Sequence, residues 1–185
     1  GDILIFRAGE TRDYCLMDPS DAYPGRELKQ WRRHVVHDKP LVTVIVDEVA
    51  CNRGDEIEAR FHSDAEQIPR KSYTLLHAQQ GDMALIPVTG AAFSFRPGRH
   101  AYLALQKTAR FEWIPYNGTV IQAPADRNVL AHIVVPVDDD DDAERVVSSV
   151  SYDRGRDGFD LSFEAGGTSY SYRFEQKDGG LELVE

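Results

Sequence analysis

Six histidines stand among the 185 residues. Imidazole is the side chain whose charge changes nearest neutral pH, so proton-transfer and metal chemistry are sought first at those positions. His34 and His37 lie three apart in the run Trp31 to His37. On an extended strand that spacing puts them on opposite faces, so at most one faces a cleft and the two cannot share an ion without a bulge. His34 is the candidate catalytic histidine, as a general acid or base. His62 closes the run Ile57 to His62 and shares its face with Arg60 and Glu58, which suits a polar surface or a site, while Ile57, Ala59 and Phe61 turn to a core. His132 sits inside the apolar run Val129 to Val137 and reads as a hydrogen-bonded core or edge residue. His77 and His100 belong to no evident constellation. No H-x-H occurs, which disfavours a cupin-like metal enzyme.

Arginine supplies the second kind of chemistry. Arg26, Lys29, Arg32, Arg33 and Lys39 face only Glu27 and Asp38 in sequence, and Arg96, Arg99, Lys107 and Arg110 have no acid among them. Guanidinium forks bind carboxylate and sulfate bidentately, so Arg32, Arg33, Arg96 and Arg99 are candidate contacts to an anionic ligand on one folded surface. They could equally pair with some of the 31 acids. Trp31, Tyr23, Trp113 and Tyr116 could stack on sugar rings, or serve as core and cross-strand partners. The net charge of −10 argues against non-specific binding to nucleic acid or anionic lipid. Cys15 and Cys51 fit neither a zinc knuckle nor a CxxC motif, and are read as a buried pair or one disulfide. Asp138 to Asp142 reads as a solvated acidic loop; calcium would favour its carboxylates, but the spaced D-x-D-x-D-G pattern is missing.

These residues are carried by short apolar or alternating runs broken by Gly, Asp, Asn and Pro, sixteen in all, the pattern of an all-β chain. They include Leu41 to Val49, Tyr102 to Leu105, Phe111 to Ile114, Thr119 to Gln122 and Val146 to Tyr152. No stretch sustains a capped helical period. Asn117-Gly118, Asp157-Gly158, Gly166-Gly167 and Gly179-Gly180 are hairpin dipeptides. Phe159, Leu161 and Phe163 alternate with polar residues, as do Tyr170, Tyr172 and Phe174, which predicts a meander with one dry face. So many strands curl or split, so the expected fold is a large antiparallel β-sandwich of two stacked sheets with little or no helix. A two-residue turn at Asp38-Lys39 would place Gln30 opposite Asp47 and His34 opposite Thr43. No apolar run approaches the length that spans a bilayer. With 42% hydrophobic residues the chain suits a single globular domain over residues 1–185. It opens on Gly1 and enters a strand-like run at once, which suggests a piece excised from a longer protein.

The stretch from Arg33 through Lys39-Pro40 and the Val-rich run ending in Asp47, followed by Ile57 to His62, resembles the β-sandwich domain of heparinase II/III-like polysaccharide lyases. The loop Asp18 to Pro24, which contains Tyr23, and the apolar run Val129 to Pro136 extend the resemblance over about three-quarters of the chain. It implies a supersandwich-like fold and an upstream α/α-toroid domain that supplies most catalytic groups. It also implies β-elimination on an acidic, uronate-containing polysaccharide, and a secreted or periplasmic location. The family's sandwich can carry zinc, which makes Asp47 and His62 the metal candidates, whereas Leu28 and Gln30 stand where its histidines are found. A fragment without the toroid is expected to be inactive alone. The alternative is a non-catalytic carbohydrate-binding or scaffolding sandwich.

Overall fold

The computed structural model describes residues 1–23, 28–104, 110–177 and 179–184. Pro24, Arg26, Glu27, Leu105 and Lys107, which entered the sequence reading, lie outside them. In chain order the strands are β1 (Asp2–Ala8), β2 (Arg12–Asp18), β3 (Gln30–Asp38), β4 (Val42–Ala50), β5 (Glu56–His62), β6 (Glu66–Pro69), β7 (Thr74–Ala78) and β8 (Gly81–Val88). There follow β9 (Phe93–Ala104), β10 (Arg110–Gln122), β11 (Arg127–Val137), helix α1 (Asp140–Ser149), β12 (Ser151–Arg154), β13 (Gly158–Ala165), β14 (Thr168–Lys177) and β15 (Gly180–Leu183). Eight strands form one antiparallel sheet in the order β1-β2-β3-β4-β11-β8-β7-β6. Two smaller sheets, β5-β10-β9 and β12-β13-β14-β15, cover its opposite faces. The expected antiparallel all-β sandwich is what forms, but among the described residues it has three sheets rather than two, with the eight-stranded one as the middle layer.

Alternation explains the layering. Val36, Val44, Val46, Ala131 and Ile133 point to one side, where they meet Phe159, Leu161, Phe163, Tyr172 and Phe174 of the meander in the main core. Each fully buried side chain of this size contributes roughly 1.5–3 kcal/mol. Leu130, His132 and Asp47 point to the other side, toward β5 and β10. The Gly166-Gly167 turn has φ of 56° and 74°, left-handed values that suit glycine. At Gly158, with φ of 150°, a Cβ would stand 1.9 Å from the Phe174 carbonyl oxygen.

Several expectations are corrected. Asp138 to Asp142 is not a loop, and Val146 to Ser149 is not strand. Asp139 is extended and its carboxylate accepts the Asp142 N–H at 2.8 Å, capping α1. Asp140, Asp141 and Asp142 then occupy the first turn, where the helix dipole favours negative charge. Ala143 and Val146 bury against the core. Arg70 and the Tyr73 hydroxyl both donate to Asp140, at 2.6 Å each.

Asn117-Gly118 is no turn either, because β10 runs straight through it. Asn117 is buried and donates to Thr74 Oγ1, and Gly118 leaves room for Glu58 lying across it. The β3–β4 turn is Lys39 to Leu41, so Asp38 pairs with Val42. Pro40 has no N–H for the ladder, and Lys39 N–H bonds to the Thr11 carbonyl instead. The register therefore sets Arg33, not Gln30, opposite Asp47, and His34 opposite Val46. Cys15 and Cys51 are free thiols, not a disulfide; Cys51 is buried and Cys15 partly exposed.

Candidate functional site: a cleft beside Arg33 and Asp47

Register builds the site. Because Arg33 and Asp47 are cross-strand partners, both point toward the β5 sheet. Arg33 Nε and Nη2 donate to the two Asp47 oxygens at 2.8 and 2.9 Å, and Trp31 Nε1 donates to Oδ1 at 2.7 Å. Burial disfavours the Arg33 charge, but the hydrogen bonds and charge of Asp47 outweigh it and hold the guanidinium protonated more firmly than usual. The guanidinium lies 4.9 Å over the Trp31 ring, and Tyr23 meets that ring edge-on at 5.4 Å. Among the described residues the Nη1 edge of Arg33 has no partner.

Across from this cluster, β5 forms the second wall of a cleft of about 840 Å³. Glu58 accepts from Arg60 at 2.6 Å, and Arg96 forms a fork to Glu56 at 2.6 and 2.8 Å. Arg60 stacks on Tyr116 at 4.8 Å. His62 lies 5.3 Å from the Tyr116 ring and 5.8 Å from the His100 ring. Leu28, Val49, Ile57 and Cys51 give the cleft an apolar patch. Burial pushes the Cys51 thiol up from its ordinary value, so it is a packing group there.

Trp31, Arg33, Asp47 and His62 thus line one cleft, with Arg96 reaching its β5 wall and Arg99 exposed on β9. Arg32 and His34 do not join them. Arg32 turns to the other face of β3, 3.8 Å from Asp18 and against the Gly179-Gly180 turn. The single anion-binding surface expected from Arg32 with Arg33 is therefore two surfaces on opposite faces. His34 is wholly buried in the core; its Nδ1 meets the Tyr14 hydroxyl at 3.0 Å and its ring meets Phe174 edge-on. Desolvation, then the Arg32 charge, lowers its pKa to about 4. A neutral imidazole sealed between two sheets touches no polysaccharide, which removes His34 as the catalytic candidate. The metal pair also changes character, since both Asp47 oxygens are occupied by donors. Among the described residues no three His, Cys, Asp or Glu side chains are grouped to hold zinc or calcium.

Arg60 was legible only as a neighbour of His62 on one strand face, and His100 had no signal of its own in the sequence. They reach the site because β10 pairs with both β5 and β9, although β5 and β9 are far apart in the chain. His132 lies behind the cleft with Nε2 bonded to Thr119 Oγ1 at 2.9 Å and its ring 4.5 Å from Phe61. Desolvation lowers its pKa to about 3, so it too is neutral. Trp113, the other sugar-stacking candidate, is exposed on β10, away from this cleft.

No protein-family model and no curated protein sequence matches the chain. Solved structures do. The crystal structure of heparinase III superposes with a TM-score of 0.66 at 13% identity, covering 94% of this chain and 27% of that one. The fold is that of part of heparinase III. The heparan sulfate lyase HepC from Pedobacter heparinus gives 0.68 at 13% identity over 99% of this chain and 27% of its own, and a HepC mutant gives 0.71 at 10% identity over 96% and 28%. The chain spans about a quarter of the length of these heparinase structures.

Proposed function

We propose that this chain is the β-sandwich part of a heparinase II/III-like polysaccharide lyase that cleaves uronate-containing glycans by β-elimination. The observation that carries the reading is the likeness of nearly the whole chain to one part of heparinase III, together with a cleft lined by Trp31, Arg33 and His62. In such a reaction a base removes the proton at C5 of the uronate and a positive group steadies the carboxylate. An acid protonates the oxygen that leaves C4, and a C4=C5 double bond remains. Those roles belong, in this reading, to an α/α-toroid domain of the same protein, and the sandwich supports the cleft by holding glycan units flanking the reacting one. Arg33 offers its free Nη1 edge and Trp31 its ring edge; Arg99 is a further contact to the polymer. Asp47 positions both of the first two. His62 and His100 present imidazoles to ligand hydroxyls. The enzyme would work in the periplasm or outside the cell, where such polymers occur.

The test is the full-length gene product incubated with uronate-containing glycans, read by the ultraviolet absorbance of the conjugated double bond. Absorbance should rise with the uronate polymer, stay flat with its carboxyl-reduced form, and stay flat when the 185-residue chain is used by itself. Cleavage without an unsaturated product, or an upstream region that is not helical, would contradict the proposal.

A further inference from the structure

We infer that the cleft binds an uncharged sugar unit and rejects the uronate itself. Three observations carry this. First, among the described residues the cleft is lined by four carboxylates, Asp47, Asp55, Glu56 and Glu58, against two guanidinium groups, Arg33 and Arg60. Even with Arg96 reaching Glu56 and Glu58 from β9, acids outnumber bases. A carboxylate entering this field meets like charge at close range.

Second, each guanidinium is already answered. Arg33 is bound by Asp47, Arg60 by Glu58, Arg96 by Glu56, and Asp55 accepts the Asn52 N–H at 2.8 Å. Among the described residues each guanidinium of the cleft has a carboxylate partner, while Glu58 Oε1 is buried without a hydrogen-bond partner and so faces an incoming ligand as an acceptor only. Third, the groups that remain suit sugar hydroxyls: the Nη1 edge of Arg33, the buried Glu58 Oε1, the imidazoles of His62 and His100, and the Trp31–Tyr23 pair together with Leu28 and Ile57. A pyranose has an apolar face for such aromatics and polar edges for such donors. In a polymer that alternates uronate with uncharged units, this cleft reads the unit beside the reacting one.

The inference rests on taking the cleft as a glycan site, and its test is independent of turnover. The 185-residue chain is titrated calorimetrically with uncharged trimers of N-acetylglucosamine or glucose and with a trimer of galacturonic acid, at about 0.05 M and about 0.3 M salt. An uncharged trimer should bind with an affinity that changes less than about twofold between the two salts, and the acidic trimer should bind at least about tenfold more weakly. Glu56→Gln frees Arg96 at the rim and should narrow that gap several-fold; it alters an exposed pair, so folding is not at stake. Tighter binding of the acidic trimer that weakens with salt would overturn the inference, as would failure of every uncharged trimer. Binding of an uncharged trimer by a protein whose full-length form makes no unsaturated product would leave the inference standing and remove only the lyase reading.

Discussion

Asp47 carries more of the site than any other side chain, because three donors from two residues end on its two oxygens. Truncating one member of a buried pair leaves the other charge without compensation. Asp47→Ala should therefore cost about 3 kcal/mol in urea unfolding and shift the Trp31 fluorescence, since the indole N–H loses its acceptor. Replacing Arg33 by Lys should retain most of the stability yet lose the planar fork. The histidines give a pH test. His34 and His132 have folded values of about 4 and about 3, below the ordinary 6.5. The unfolded chain takes up protons that the folded chain refuses, so stability is full above 6.5 and falls as pH drops toward those folded values. Between about pH 7.5 and about pH 5 the loss from the two should reach up to about 4 kcal/mol, measured as a falling urea midpoint. A midpoint that does not move over that range would mean both rings reach water.

Elements show where sequence was readable and where it was not. The β13–β14 hairpin was legible because every second residue is aromatic or Leu and two glycines stand at its turn. The β3–β4 hairpin was legible as a hairpin but not in register, because Lys39-Pro40 admits more than one turn and the choice depends on contacts with Thr11 and Arg12. That shift of register decided the candidate site, turning a Gln–Asp neighbour pair into an Arg–Asp one. Helix α1 was hidden by its own cap. Five aspartates read as mutual repulsion unless the first turn of a helix is there to receive them, and only Ala143, Val146 and Val147 hint at its inner face. Asp139→Ala should cost about 1 kcal/mol, seen by thermal unfolding, with little effect on the cleft on the far side of the middle sheet.

At the scale of the molecule, the β5 sheet covers only part of the face it packs on. Beyond it, Ile3 and Phe6 are 68% and 67% exposed, and Met17, Val35 and Ile45 are partly exposed on the same face. We expect the helical domain of the proposed lyase to rest on this apolar area. Phe6→Asp should therefore change the stability of the 185-residue chain by less than about 0.5 kcal/mol, while in the full-length protein it should loosen the two parts, read as faster limited proteolysis between them. The central claim, that glycan is held between β3–β4 and β5, is tested most directly by nuclear magnetic resonance of the labelled 185-residue chain titrated with an oligosaccharide that alternates uronate and uncharged units. The account predicts that the Trp31 indole N–H, the Arg33 Nε–H and the backbone amides of Ala59 to His62 shift together. Shifts confined to Trp113 or to the β13–β14 surface, with the Trp31 indole unmoved, would contradict it.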